Sequence, residues 1–114
     1  MKLSIVVPVY NGEQSIERLV NEVFSHLSSK IKLEIVLVND DSKDNSWDKI
    51  IFLQKTYPDH IIAVNLAKNF GEHNAVMAGY NYATGDYIVN IDDDFQNPPA
   101  EIFKLLKKSR KVMM

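Results

Sequence analysis

The chain has 114 residues, 46% apolar and 25% charged, with 13 basic against 15 acidic side chains and a formal charge of −2. That length and balance fit one globular domain (residues 1–114) and exclude both a disordered chain and a basic nucleic-acid surface. Cysteine is absent, which excludes disulfides and thiolate metal sites.

The first predicted element is the run LSIVVPV (3–9), rich in Val and nearly continuous, the pattern of a strand covered on both faces. The amino-terminal MKLSIVVPVY is too short for a membrane span and lacks a small-residue cleavage site, so the chain reads as soluble and cytoplasmic. Ile16, Leu19, Val20, Val23, Phe24 and Leu27 then recur at three- and four-residue steps, one apolar stripe of a helix. LEIVLVN (33–39) is the second strand. A second helix starts near Asp44-Asn45-Ser46, where Asp44 is a cap type, carries Trp47, Ile50, Ile51 and Leu53, and stops at Tyr57-Pro58. IIAVNL (61–66) is the third strand. A third helix over roughly 73–83 sets Val76, Gly79, Tyr80 and Ala83 on one side and is ended by Gly85. YIVNID (87–92) is the fourth strand, and a fourth helix starts at Pro98-Pro99 with Ile102, Phe103, Leu105 and Leu106. The terminal LLKKSRKVMM reads as a solvated helix end.

This alternation predicts a Rossmann-like α/β fold, an open parallel sheet with helices on both faces. Ligands of such sheets bind beyond the carboxyl ends of the strands, where the strand order reverses. The polar clusters lie at those ends: Tyr10-Asn11-Gly12-Glu13, Asn39-Asp40-Asp41-Ser42, Lys68-Asn69 and Asp92-Asp93-Asp94. All four are therefore expected on one rim.

Three adjacent aspartates repel one another, and a divalent cation relieves that repulsion. Asp92 and Asp94, at alternate positions, can reach a common point, and Gln96 adds a neutral oxygen. Such oxygen donors suit Mg2+ or Mn2+ rather than zinc, and those ions complete their shell with water and substrate phosphates. The bland alternative is one helix cap and two solvated carboxylates. Asp40 reads equally as a turn residue or as an acceptor for a base or ribose. Tyr10 either stacks on a flat ring or closes the core edge. Neither GxGxxG nor GxxxxGK[ST] is present, so a diphosphate would need the metal and side chains such as Lys68, whose plainer reading is a solvated loop lysine. His26, His60 and His73 share no metal-ligand spacing and read as structural or surface residues.

VVPVYNGE, VLVNDDSKDNS and NFGEHNAVMAGYNYATGDYIVNIDDDFQNPPAEI, in this order and spacing, resemble family 2 glycosyltransferases of the GT-A fold. The likeness is strongest to the branch that moves a sugar from a nucleotide onto a polyprenyl phosphate, which includes dolichol-phosphate mannosyltransferases. The resemblance implies that Pro8, Tyr10 and Glu13 lie where the donor's base and ribose are held and that Asp40 is the carboxylate that contacts the base. It also implies that Asp92, Asp93 and Asp94 form the DxD element, with Asp92, Asp94 and Gln96 as metal ligands and Asp93 at the spacer position. Thr84-Gly85-Asp86 matches a mainly structural segment. Two departures stand out: Asp41 occupies a family glycine position that favours φ > 0, which Asp tolerates better than most residues, and Gly12 stands where many members carry glutamate.

Relatives usually continue past this point, so the resemblance makes this chain the donor-binding part of a longer domain. The implied reaction transfers a sugar, with inversion, from a UDP- or GDP-linked donor, and a polyprenyl phosphate is the implied acceptor, reached at the inner face of the membrane in a longer form. No catalytic base is identified in the sequence, which fits either a phosphate acceptor that is already an anion or a base in the missing half of the domain. The alternative is a non-catalytic, self-associating fragment, because an uncovered sheet edge after the fourth strand invites a homo-oligomer. A phosphoacceptor receiver domain would need an acidic pair after the first strand, where this chain has Tyr10-Asn11.

Overall fold

The computed structural model describes residues 2–27 and 32–91; the predicted fourth helix and Asp92, Asp93, Asp94 and Gln96 lie outside the described residues. Among the described residues, four strands, β1 (Lys2–Val9), β2 (Lys32–Asn39), β3 (Ile61–Asn65) and β4 (Tyr87–Asn90), alternate with three helices, α1 (Ile16–Leu27), α2 (Ser46–Thr56) and α3 (Glu72–Tyr80). All strand pairs are parallel, in the order β3-β2-β1-β4.

The nearly continuous apolar strands divide their side chains between two faces, as the two-residue period of a strand requires. Leu3, Ile5, Val7 and Val9 of β1, with Leu33, Ile35 and Leu37 of β2, join Ile16, Leu19, Val20 and Val23 of α1 and Ile50 and Leu53 of α2. The even positions Val6, Val36, Val38 and Val64 meet Ala75 and Val76 of α3 on the other face. Each fully buried side chain of this size contributes about 1.5–3 kcal/mol. Gly79 lets α3 approach closely, because a Cβ there would collide with Val6 Cγ1.

His60 has a structural role, consistent with its sequence reading: its Nδ1 lies 2.9 Å from the Leu33 carbonyl, and its ring meets Phe24 edge-on. Asp44, expected as a cap, stands one residue ahead of the cap position Asn45 and accepts hydrogen bonds from the Ser46 N–H at 2.9 Å and the Ser46 hydroxyl at 2.6 Å. α3 is shorter than the predicted 73–83. Beyond Tyr80 the chain continues in tighter i→i+3 turns, Asn81 to Ala78, Tyr82 to Gly79 and Ala83 to Tyr80, so Ala83 packs on the sheet from a turn. No helix among the described residues is long and apolar enough to cross a membrane.

The order of the sheet locates the site. Connections from β1 run toward β3, whereas β4 lies on the opposite side of β1. The reversal opens a crevice beyond the carboxyl end of β1.

Candidate nucleotide-binding site

β1 delivers Pro8, Val9 and Tyr10 to this rim, and β2 delivers Asn39 and Asp40. The two loops that follow are pinned to each other. Asn11, at φ 53°, donates its N–H to the Ser42 hydroxyl at 3.0 Å and accepts from the Lys43 N–H at 2.8 Å. The buried Ser46 hydroxyl accepts the Gly12 N–H at 2.8 Å while donating to Asp44. Hydrogen bonds to Asp44 from the Ser46 hydroxyl, the Ser46 N–H and the Glu13 N–H outweigh the effect of burial and hold its carboxyl below the ordinary aspartate value. Asn39 donates to Asn65 Oδ1 at 2.9 Å, which joins the ends of β2 and β3.

Pro8, Tyr10 and Asp40 come together around one cavity of about 360 Å³, closed on its other side by Asn69, Gly71 and Glu72. Tyr10 keeps 49% of its surface exposed, a ring available for stacking rather than one closing the core edge. Asp40 is only 2% exposed. Its Oδ1 accepts the Phe70 N–H at 2.8 Å and its Oδ2 the Gly71 N–H at 3.0 Å.

Glu13 does not line this cavity. Its carboxylate turns toward α2 and accepts from the Asn45 N–H at 3.2 Å. Lys68 is exposed, with its Nζ 5.3 Å from the centre of the Phe70 ring, and it too stands outside the cavity lining. Asp92, Asp93, Asp94 and Gln96 fall outside the described residues, but the sequence runs into them directly from Ile91, whose N–H donates to the Val6 carbonyl at 3.1 Å. Among the described residues, no group of three His, Asp or Glu side chains is disposed to hold a metal.

Asn69 comes from the Lys68-Asn69 cluster expected on the rim, whereas Gly71 and Glu72 are lining residues that the sequence reading did not single out. The signal available was a glycine directly ahead of a helical pattern, a position that tolerates unusual backbone angles.

Other depressions mark the surface of the described residues. A groove of about 560 Å³ along α3 shares Glu72 with the cavity and includes Val76, Met77 and Tyr80; burial pushes the Tyr80 phenol above its ordinary value. A larger, shallow depression of about 770 Å³ lies over α1 and Lys49, away from the strand ends. Its cations are already paired, Lys49 with Glu17 at 3.2 Å and Arg18 with Glu22 at 3.7 Å, so the smaller cavity is the better candidate.

Several solved structures share this arrangement. Mannosyltransferase PcManGT from Pyrobaculum calidifontis, in complex with GDP-Man and Mn2+, is 27% identical with a TM-score of 0.74, over 81% of this chain and 27% of that one. Residues 1–349 of S. aureus TarS are 22% identical with a TM-score of 0.73, over 94% of this chain and 32% of that one. The same protein in complex with UDP-GlcNAc is 24% identical with a TM-score of 0.72, over 95% and 30%. At that identity TarS shares the fold alone. The chain spans about a quarter to a third of the length of these structures. Residues 4–111 match the family described as glycosyl transferase family 2, which is nearly the whole chain, and the chain belongs to that family.

Proposed function

We propose that this chain is the donor-binding part of a glycosyltransferase that uses a nucleoside-diphosphate sugar. The observation that carries the reading is the convergence of Pro8, Tyr10 and Asp40 on one cavity of about 360 Å³ at the carboxyl ends of β1 and β2. Its size suits the nucleoside end of such a ligand. Its lining holds the carboxylates Asp40 and Glu72 and no cationic side chain, so the anionic diphosphate belongs outside it, toward the end of β4.

Asp92, Asp94 and Gln96 would hold a divalent cation there, an oxygen-donor set suited to Mg2+ or Mn2+. Such an ion, when bound, supplies electrostatic stabilisation of the departing diphosphate. This chain's own contributions are to receive the base against Tyr10, to exclude water with the Pro8 and Val9 wall, and to hold the donor so that an acceptor oxygen attacks the anomeric carbon from the opposite face, with inversion. A polyprenyl phosphate is the acceptor proposed from the sequence, being anionic without a general base.

Calorimetric titration with UDP and with GDP, with and without Mn2+, tests the reading. Metal-dependent binding of at least one is expected, and binding of neither refutes it. The second reading, a self-associating fragment without catalysis, is favoured by one observation: β4 pairs only with β1 among the described residues.

A further inference from the structure

Asn11-Gly12 is the one Asn-Gly pair in the sequence, and it follows Tyr10 at the rim of the cavity. The pair is chemically reactive as well as turn-forming. Without a side chain, Gly12 leaves its backbone nitrogen open to close on the Asn11 side-chain amide. In the structure that nitrogen is not open. Gly12 is buried, and its N–H donates to the Ser46 hydroxyl at 2.8 Å. Ser46 has no exposure, and its own proton goes to Asp44 at 2.6 Å, so its oxygen is oriented as an acceptor. Asn11 is exposed at φ 53°, held on one side by the bond from its N–H to Ser42 and on the other by the Lys43 N–H on its Oδ1. The Lys43 bond draws electron density from the Asn11 amide carbon. The electrophile is thus prepared, and the nucleophile is withheld.

We infer that Asn11-Gly12 is a latent self-modification site, kept closed by the Ser46 hydroxyl, whose conversion undoes the clasp between the two loops beside Tyr10. The step needs only water as co-reactant. When the bond to Ser46 opens, the Gly12 nitrogen loses its proton to solvent and attacks Asn11 Cγ. The new N–Cγ bond closes a cyclic imide, the Cγ–Nδ2 bond breaks, and the departing nitrogen takes up a proton and leaves as ammonia. Water then opens the imide at either carbonyl, giving an aspartyl or an isoaspartyl residue at position 11. The isoaspartyl form carries the main chain through the side-chain carbon and lengthens it by one methylene. It cannot keep the bonds to Ser42 and Ser46 in register, so it displaces Tyr10, the ring proposed to receive the base. That last consequence rests on the donor-binding reading above; the conversion itself does not.

The test incubates the full chain at mildly alkaline pH, in buffer and in urea, as wild type and as Ser46→Ala. Mass spectrometry follows ammonia loss and isoaspartate at position 11, and amide exchange is read at Gly12. Folded wild type should convert at least about tenfold more slowly than the same chain in urea, because the step waits on local opening. Folded Ser46→Ala should convert about fivefold faster than folded wild type, the factor expected for one lost hydrogen bond. Equal rates with and without urea overturn the inference, as does a folded Ser46→Ala that converts no faster than wild type. Should Ser46→Ala fail to fold, the Gly12 amide of wild type decides. Protection of that amide from exchange is expected alongside slow conversion, since both wait on the same bond; exchange as fast as in urea refutes the inference. The isoaspartyl fraction, separated from unconverted chain, should bind UDP or GDP with Mn2+ at least about tenfold more weakly. Equal affinity refutes the link to Tyr10. Should wild type bind neither nucleotide, the donor-binding reading falls, while the conversion rates still decide the modification site.

Discussion

Asp41 sits at φ 56°, in the left-handed region where most side chains are strained. Its ion pair with Lys43, at 3.1 Å on the surface, adds little. The cost of the backbone is therefore the main effect of changing the residue. Asp41→Ala should lose about 1 kcal/mol in chemical denaturation, and Asp41→Gly should stay within about 0.5 kcal/mol of wild type. Equal stability of the alanine variant would show that the position carries no strain. This angle is readable in the sequence because Asp41 stands in a glycine position of the family pattern, whereas the matching angle at Asn11, φ 53°, has no comparable signal. Gly85 is a second case where one atom decides. A Cβ there would lie 2.6 Å from Ser4 Oγ, 2.7 Å from Ser4 N and 3.0 Å from the Lys2 carbonyl. Two of those neighbours are backbone and cannot swing aside. The Gly85 N–H also donates to Ser4 Oγ at 2.8 Å. Gly85→Ala should cost about 2–3 kcal/mol, read as a lower midpoint in thermal or urea unfolding.

At the scale of elements, the opposite end of the sheet from the site is held by a polar group that no single segment reveals. Ser4 of β1 and Glu34 of β2 are register partners, and the Ser4 hydroxyl donates to Glu34 at 2.6 Å. Thr84, between α3 and β4, gives Glu34 both its N–H and its hydroxyl at 2.9 Å, and Lys2 Nζ approaches at 3.3 Å. Burial raises the Glu34 carboxyl, but these donors outweigh it and hold its pKa below the ordinary 4.5. A carboxyl lowered on folding contributes stability that is present above 4.5 and lost as pH falls through the folded value. Glu34→Gln should cost about 2–3 kcal/mol at pH 7, since an amide cannot accept all four donors. It should also flatten the loss of stability in acid. Urea midpoints measured from pH 7 down to 3 check both; an unchanged acid slope would remove Glu34 from the pH response. In the sequence, Thr84-Gly85-Asp86 reads as structural, and rightly. Its partner Glu34 is hidden within an apolar strand, because register is set by pairing across segments and leaves no local mark. The same limit explains α3: period alone does not distinguish its last turn from the tighter turns that replace it.

For the whole molecule, strand ends and strand order decide what the sequence can show. Four parallel strands with a reversal beside β1 must bring their carboxyl ends to one rim, so Pro8, Tyr10 and Asp40 are found together where the pattern puts them. Glu13 and Lys68 fall outside the cavity lining because loop paths, not strand period, aim them: Glu13 is drawn to Asn45 and Asp44, and Lys68 stands over Phe70. Among the described residues the strand order also leaves two edges, β3 and β4. β4 has four residues, and Tyr87, Ile88 and Val89 are only half-buried. A parallel sheet normally has both faces covered and its edges guarded, and Tyr-Ile-Val carries no charge or proline to discourage pairing. Association through that edge should therefore appear as a rise in mass with concentration in light scattering, with a dimer as the first species. Added salt should leave it unchanged or strengthen it, because the contact is apolar and backbone-mediated rather than ionic. A monomer across the accessible concentration range would show that the β4 edge is guarded in solution.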